Sequence, residues 1–224
     1  MVETVLRSRR RRATGQRMAT AAARYAGLGW PVCAGVFPPD GGRGAAGSPR
    51  ACSCDRIGCP DPAAHPVSPA WQLQASTDPG RVAGWWAAQP QANIILVTGR
   101  TFDVLDVPAR AGLAAITGMR ESGVTPGPVA ISAGGRALFF VATRGAPDSE
   151  DEWWSCHLDC EPEMVGEVTG LRWHCRNSFV LAPPSRLAGG QQARWLQPPG
   201  AAPDRPPDGL RLLEFLADAC EDGS

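Results

Sequence analysis

Lysine is absent from this 224-residue chain, and all 22 basic residues are arginine. Any contact to a phosphate must therefore come from a guanidinium, a backbone amide or a neutral donor. With abundant Ala, Gly and Pro, the absence reads as a coding bias rather than a functional choice. Net charge is absent too: 22 acidic residues balance the arginines, and the isoelectric point is near 6.8. Composition thus gives no sign of a strongly basic nucleic-acid binder, although charge can still be locally arranged. No apolar run is long enough to cross a bilayer, so no membrane association is expected. Arg7 and Arg9-Arg10-Arg11-Arg12 imitate the basic start of an export signal, but the following stretch, Met18 to Arg24, is too short and too interrupted by charge to be its apolar part. A cytoplasmic location is the expectation. The eight cysteines then read as thiols or metal ligands rather than disulfides. No internal repeat is visible.

A hydrophobic content of 43% is sufficient for one sizeable core. Residues 1–16 read as a basic flexible tail, either solvated or in nonspecific contact with nucleic acid. An alanine-rich helix is predicted from Arg17 to Leu28, ended by Gly27 and Gly29. Trp30 to Phe37 reads as a strand. The Gly/Pro-rich stretch from Pro38 to about Pro69 is longer than a compact domain leaves untied. Thr77-Asp78-Pro79 is a helix start, with a capping side chain before a proline at the first helical position. Asn93 to Val97 and Phe102 to Val107 read as strands and as hairpin partners. Ala109 to Met119 reads as a helix. Pro128–Ser132 and Ala137–Ala142 read as strands around Ala133-Gly134-Gly135. Leu171 to Ala182 should supply two short strands, closed by Pro183-Pro184-Ser185. Residues 188–208 read as a Pro/Gly-rich linker. Residues 209–224 read as a C-terminal helix with Leu210, Leu213, Phe215 and Leu216 on or near one face. The pattern predicts an α+β domain over 17–187, built on a largely antiparallel sheet flanked by helices.

The strongest chemical signal lies in the long loop. Cys52, Cys54, Cys59 and His65 offer three thiolates and an imidazole, the ligands a tetrahedral zinc prefers. Four protein ligands leave no open coordination position, so the expected role is a structural staple. Cys33 is an alternative ligand, and reduced cysteines in an untied loop are the plain reading. Asp103 and Asp106 sit three residues apart on one strand and should point to opposite faces. Asp106 alone is either a solvated acid or the ligand of a divalent ion. Cys156, His157, Cys160, His174 and Cys175 form a looser group, either a second metal site or spare thiols. Trp85-Trp86 and Trp153-Trp154 are suited to core packing or to stacking on bases.

Taken in order, these pieces resemble a known family. They comprise Gly29-Trp30-Pro31-Val32, the Cys52 to Pro66 loop, Thr77-Asp78-Pro79 with Trp85-Trp86, Asn93 to Gly99, Val104 to Val107, Ser132 to Gly135 before Phe139-Phe140, and Val180 to Ser185. The set is similar to the N-terminal domain of bifunctional DNA primase/polymerases, the prim–pol group of the archaeo-eukaryotic primase superfamily, over about residues 18–187. The resemblance implies metal-dependent nucleotidyl transfer, with sheet carboxylates holding Mg²⁺ or Mn²⁺, and DNA and nucleotides as partners. It implies Asp106 as catalytic residue and divalent-ion ligand. The chain departs from the family pattern elsewhere. Pro108 stands at the second acid, Ala137 at the histidine after the glycine turn, Arg172 near the third acid, and Ala64 at the lysine before the loop histidine. One aspartate cannot hold two hydrated ions. Arg136 and Arg172 are instead placed to bind nucleotide or phosphate. Two functions are therefore open: a divergent primase/polymerase using Asp106, and a degenerate domain that binds nucleotide or nucleic acid. A protein-interaction module on the same scaffold is a third. A replication role in a chain of this length would call for a separate helicase or replication protein.

Overall fold

The computed structural model describes residues 2–39, 51–54, 56–143, 170–200 and 205–222. The chain divides into two compact units, residues 1–96 with 181–193, and residues 97–180 with 194–224.

In the first unit, α1 spans Val2–Gly27. Residues 1–16, read from sequence as a flexible tail, are corrected here: the helix reaches back to Val2. Arginine, alanine and methionine are good helix formers, and the segment holds no proline to stop the helix. The inward row Met18, Ala22, Tyr25 and Ala26 follows helical spacing and is buried. The Tyr25 hydroxyl donates to the Pro183 carbonyl at 2.6 Å, and its ring stacks on Trp30 at 5.9 Å. Strand β1, Val32–Gly35, pairs antiparallel with β2, Asn93–Val97. Two helices lie between them, α2 at Trp71–Gln74 and α3 at Pro79–Ala88. Asp78 caps α3 by accepting from the Gly80 amide at 2.8 Å. Trp86 is a core residue, its indole N–H donating to the Ala92 carbonyl at 2.9 Å. Trp85 is half-buried, with the Arg81 guanidinium 5.6 Å from its ring.

The second unit holds β3 (Asp103–Pro108), α4 (Ala109–Glu121), β4 (Val129–Ile131), β5 (Arg136–Val141), β6 (Arg172–His174), β8 (Arg194–Gln197) and α5 (Gly209–Glu221). Strand β7, Phe179–Leu181, belongs to the three-stranded sheet ordered β1-β2-β7. The five-stranded sheet is ordered β6-β3-β5-β4-β8, and its β3–β5, β3–β6, β4–β5 and β4–β8 pairings are all antiparallel. This α+β architecture of antiparallel sheets and helices is the one expected. The predicted hairpin of 93–97 with 102–107 is not formed: β2 and β3 belong to different sheets. Gly99, at φ +78°, turns the chain between them, and a Cβ there would lie 2.3 Å from the Arg176 Cα. The 188–208 linker is also corrected, since β8 within it completes the sheet beside β4.

Alternation gives that sheet two unlike faces. Leu105, Val107, Ala137, Phe139, Val129 and Ile131 face the core made with α4 and α5. The helices supply Ala111, Ala115, Ile116 and Met119 from α4, and Leu212, Leu216 and Cys220 from α5. On α5 the buried row is therefore Leu212 and Leu216, while Leu210, expected near the apolar face, is 48% exposed.

Candidate functional site: a thiol loop and a charge node

The loop from Cys52 is tied to β1 by its backbone. The Val36 amide donates to the His65 carbonyl at 2.9 Å and the Val67 amide to the Ala34 carbonyl at 3.0 Å. The Ser53 amide reaches the Phe37 carbonyl at 2.9 Å, and the Ser53 hydroxyl accepts from the Phe37 amide at 3.0 Å. Between these anchors the loop turns through Gly58 and Ala63, both at positive φ. The result is convergence: one ligand atom each from Cys52, Cys54, Cys59 and His65 lies within 4.8 Å of all the others. Around a tetrahedral zinc, a thiolate sulfur and an imidazole nitrogen should stand about 3.5 Å apart, given bonds of roughly 2.3 and 2.0 Å. His65 Nε2 lies 3.6 Å from Cys52 Sγ and 3.4 Å from Cys59 Sγ. His65 Nδ1–H donates to the Pro66 carbonyl at 2.8 Å, which leaves Nε2 free of its proton for a metal. The four residues fit a tetrahedral metal ion such as zinc. Cys33, the alternative ligand, is outside the cluster, buried in β1 with its thiol pushed up to about 12 by burial.

The thiols are unequal. The backbone N–H of Arg56 lowers Cys54 to about 7, with smaller help from hydrogen bonds with Cys52, His65 and Cys59. Burial first, and then the neighbouring thiols Cys54 and Cys52, raise Cys59 to about 11. Cys54 thus ionises more readily than Cys59, whose proton a metal must displace.

The second cluster lies on the other face of the five-stranded sheet. Asp106 pairs with Leu138 on β5 and with Arg172 on β6; Pro108 pairs with Arg136, and Val104 with His174. These side chains therefore share one face, and Asp103 lies on the opposite one, as the spacing predicted. Asp106 is buried and both its oxygens are engaged. Arg136 Nε donates to Oδ1 at 2.5 Å, and His174 Nε2 lies 3.2 Å from Oδ2. Arg136 Nη2 also reaches the Asp106 carbonyl at 3.1 Å and the Gly170 carbonyl at 2.5 Å. The arginine therefore straps across the strand end occupied by Pro108. His174 Nδ1 lies 3.0 Å from the Ser178 hydroxyl. With Nε2–H donating to Asp106 and Nδ1 accepting from Ser178, the ring has both nitrogens satisfied.

Asp106 and Arg136 are thus brought together, and Arg172 stands opposite Asp106 in register. The loop residues Cys52, Cys54, Cys59 and His65 form a separate group. His174 was grouped by sequence with nearby cysteines, yet its ring meets Asp106 and Ser178. Cys156, His157, Cys160, Trp153 and Trp154 lie outside the described residues. The node does not fit a pair of divalent ions. Its one carboxylate among the described residues is already neutralised by a guanidinium, and Pro108 and Arg172 offer no oxygen ligand from their side chains.

A family model described as bifunctional DNA primase/polymerase, N-terminal, matches residues 22–209. The match runs past residue 187 to include β8, in keeping with its place in the sheet. No curated protein gives a significant match. No described helix is long and apolar enough to cross a membrane.

Proposed function

This chain belongs to the bifunctional DNA primase/polymerase N-terminal family, and from that premise we propose that it binds nucleotide or nucleic acid without carrying out metal-dependent nucleotidyl transfer. The observation that carries the reading is the state of Asp106. Its Oδ1 is held by Arg136 and its Oδ2 by His174. A divalent ion would have to break an ion pair in a site 7% exposed at the carboxylate, and among the described residues would gain only one acidic ligand. Family membership supports the partners, nucleotides and DNA; the charge node supports the loss of chemistry. On this reading the loop is a zinc-bound structural staple, and the domain would serve replication together with a separate catalytic or helicase partner.

Primer extension tests it. Purified chain is given a primed template, labelled nucleotides and Mg²⁺ or Mn²⁺, beside Asp106→Ala. We expect no extension by either protein, with retained binding of nucleotide or DNA by the unaltered chain. Extension that disappears in Asp106→Ala would establish instead the active reading, with Asp106 as metal ligand. Absence of any binding would leave the protein-interaction role.

A further inference from the structure

Among the described residues, the node face carries more cation than anion: one carboxylate, Asp106, against the guanidinium groups of Arg136 and Arg172. Arg136 is committed, with Nε on Oδ1 of Asp106 and Nη2 on the carbonyls of Asp106 and Gly170. Arg172 is different. It lies on β6, an edge strand of the sheet among the described residues, directly across from Asp106. Its side chain is half-buried, and among the described residues it has no hydrogen bond or ion pair. Beside the node, the turn that enters β5 leaves Gly134 and Gly135 exposed. Among the described residues, a Cβ built on Gly135 would meet nothing within 4 Å, so the turn itself leaves room for a ligand.

We propose that Arg172 anchors a phosphate site that takes its ligand without a divalent ion. The proposal rests on the nucleotide- or nucleic-acid-binding reading above, and names the group recognised and the residue that does it. The physics follows from the sign of the site. Carboxylates bind a phosphate only through a bridging cation. A guanidinium binds phosphate oxygens directly, through paired N–H donors. Mg²⁺ on the phosphate would then compete, because it removes the negative charge that Arg172 recognises and places like charges together. The magnesium dependence of binding should therefore be the reverse of that of a two-metal site. Phosphate is common to a nucleoside triphosphate and a polynucleotide backbone, and the probes below separate the two sources.

The zinc-loaded chain is passed over a metal-scavenging resin that does not strip the thiol site. Binding of dATP, inorganic tripolyphosphate and a single-stranded oligonucleotide is then measured by calorimetry, without Mg²⁺ and with it. A chelator is avoided because it would remove the loop metal. The expected result is binding of a phosphate probe without Mg²⁺, weakened when Mg²⁺ is added. Arg172→Ala and Arg172→Gln should each weaken it by about tenfold or more, the scale of a lost charge-assisted hydrogen bond. Arg172→Lys should fall between, keeping the charge but losing the fork. Tripolyphosphate binding identifies the phosphate chain of a nucleotide as sufficient; binding of the oligonucleotide alone identifies the backbone. Thermal melts of the variants check that the fold persists, and Arg172→Gln keeps most of the aliphatic stem if the alanine variant does not fold. Binding that requires Mg²⁺, or that is unchanged in both Arg172 variants, overturns this proposal and leaves the binding function standing. Failure of every probe in both conditions overturns the two together.

Discussion

In the loop, four ligand atoms from Cys52, Cys54, Cys59 and His65 converge on one another. In the sheet, the carboxylate of Asp106 converges on Arg136 and His174 of the same chain. Both clusters are polar and tied to a β-strand, and both stand where the family resemblance leads one to look for a metal. They differ in what balances them. The loop has donors whose charge, once ionised, calls for a cation from outside. The node has been given its cation as a side chain. On the proposed reading, a site completed from within would be closed to the ion, however well its aspartate is positioned. The pair teaches that retention of one acid says little about a metal centre until its neighbours are charged and placed.

Removing the metal from the loop should have the largest effect, because few apolar side chains there can replace it. Cys52→Ser should reduce zinc below one per chain and destabilise the first unit by on the order of 3 kcal/mol or more. Metal analysis and thermal melts check both. Equal melting of loaded and stripped protein would end the staple reading and erase the contrast with the node. The pH dependence has a definite sign. The thiol of Cys54 is lowered from 9.0 to about 7. Its contribution is therefore fully present above the ordinary thiol value and is lost as pH falls through about 7. Zinc affinity should fall over the same range, because protons compete for the sulfur. Affinity that rises on acidification would contradict the assignment of Cys54 as the first thiolate.

Breaking the node comes next. Asp106→Ala leaves the Arg136 guanidinium facing two carbonyls with no counter-charge, and strands the Nε2–H of His174. The expected loss is about 3 kcal/mol by chemical denaturation. A double-mutant cycle with Arg136→Met should give a coupling of about 1–3 kcal/mol, since removing both partners removes the stranded charge as well. A coupling near zero would mean that the ion pair is incidental, and the claim that the chain fills its own cation position would fall with it.

Much of this was legible beforehand, for identifiable reasons. The 3.6-residue rows of α4 and the cap at Asp78 are local, and local rules located them. The four loop ligands were legible because they lie within fourteen consecutive residues. Period two correctly separated Asp103 from Asp106. What failed was non-local. Nothing near residue 106 says that Arg136 and His174 will meet it, since those contacts exist only once β5 and β6 have paired with β3. Similarly, β8 was hidden by the prolines and glycines around it, and the early part of α1 by a charge run that reads as solvated. In both cases, tertiary pairing or helix propensity prevailed over composition.

A smaller effect tests whether the node depends on its support. Gly112 of α4 faces the back of β5, where an added Cβ would sit 2.4 Å from the Ala137 Cβ. Ala137 precedes Leu138, the cross-strand partner of Asp106. Gly112→Ala should cost about 1–3 kcal/mol through overpacking, without altering any charge. If it also abolished the Asp106–Arg136 coupling, the ion pair would be held by sheet geometry; if the coupling survived, the pair would stand on its own attraction. The zinc content of the loop should not change in either case.

The smallest expected effect concerns Ile57, at the tip of the loop between Arg56 and Gly58. Its side chain is 100% exposed. In the five-stranded sheet, apolar side chains such as Phe139 and Leu105 are completely buried and carry the stability. If the loop is held by metal rather than by burial, its largest aliphatic side chain should be dispensable. Ile57→Ser should then change stability by no more than about 0.5 kcal/mol and leave zinc content at the level of the unaltered chain. A loss greater than about 1 kcal/mol would show that the loop has an apolar anchor of its own, and its order could no longer be credited to the four ligands. Comparison of this variant with Cys52→Ser in the same melt separates the two sources, because one removes only exposed apolar surface and the other only a ligand atom.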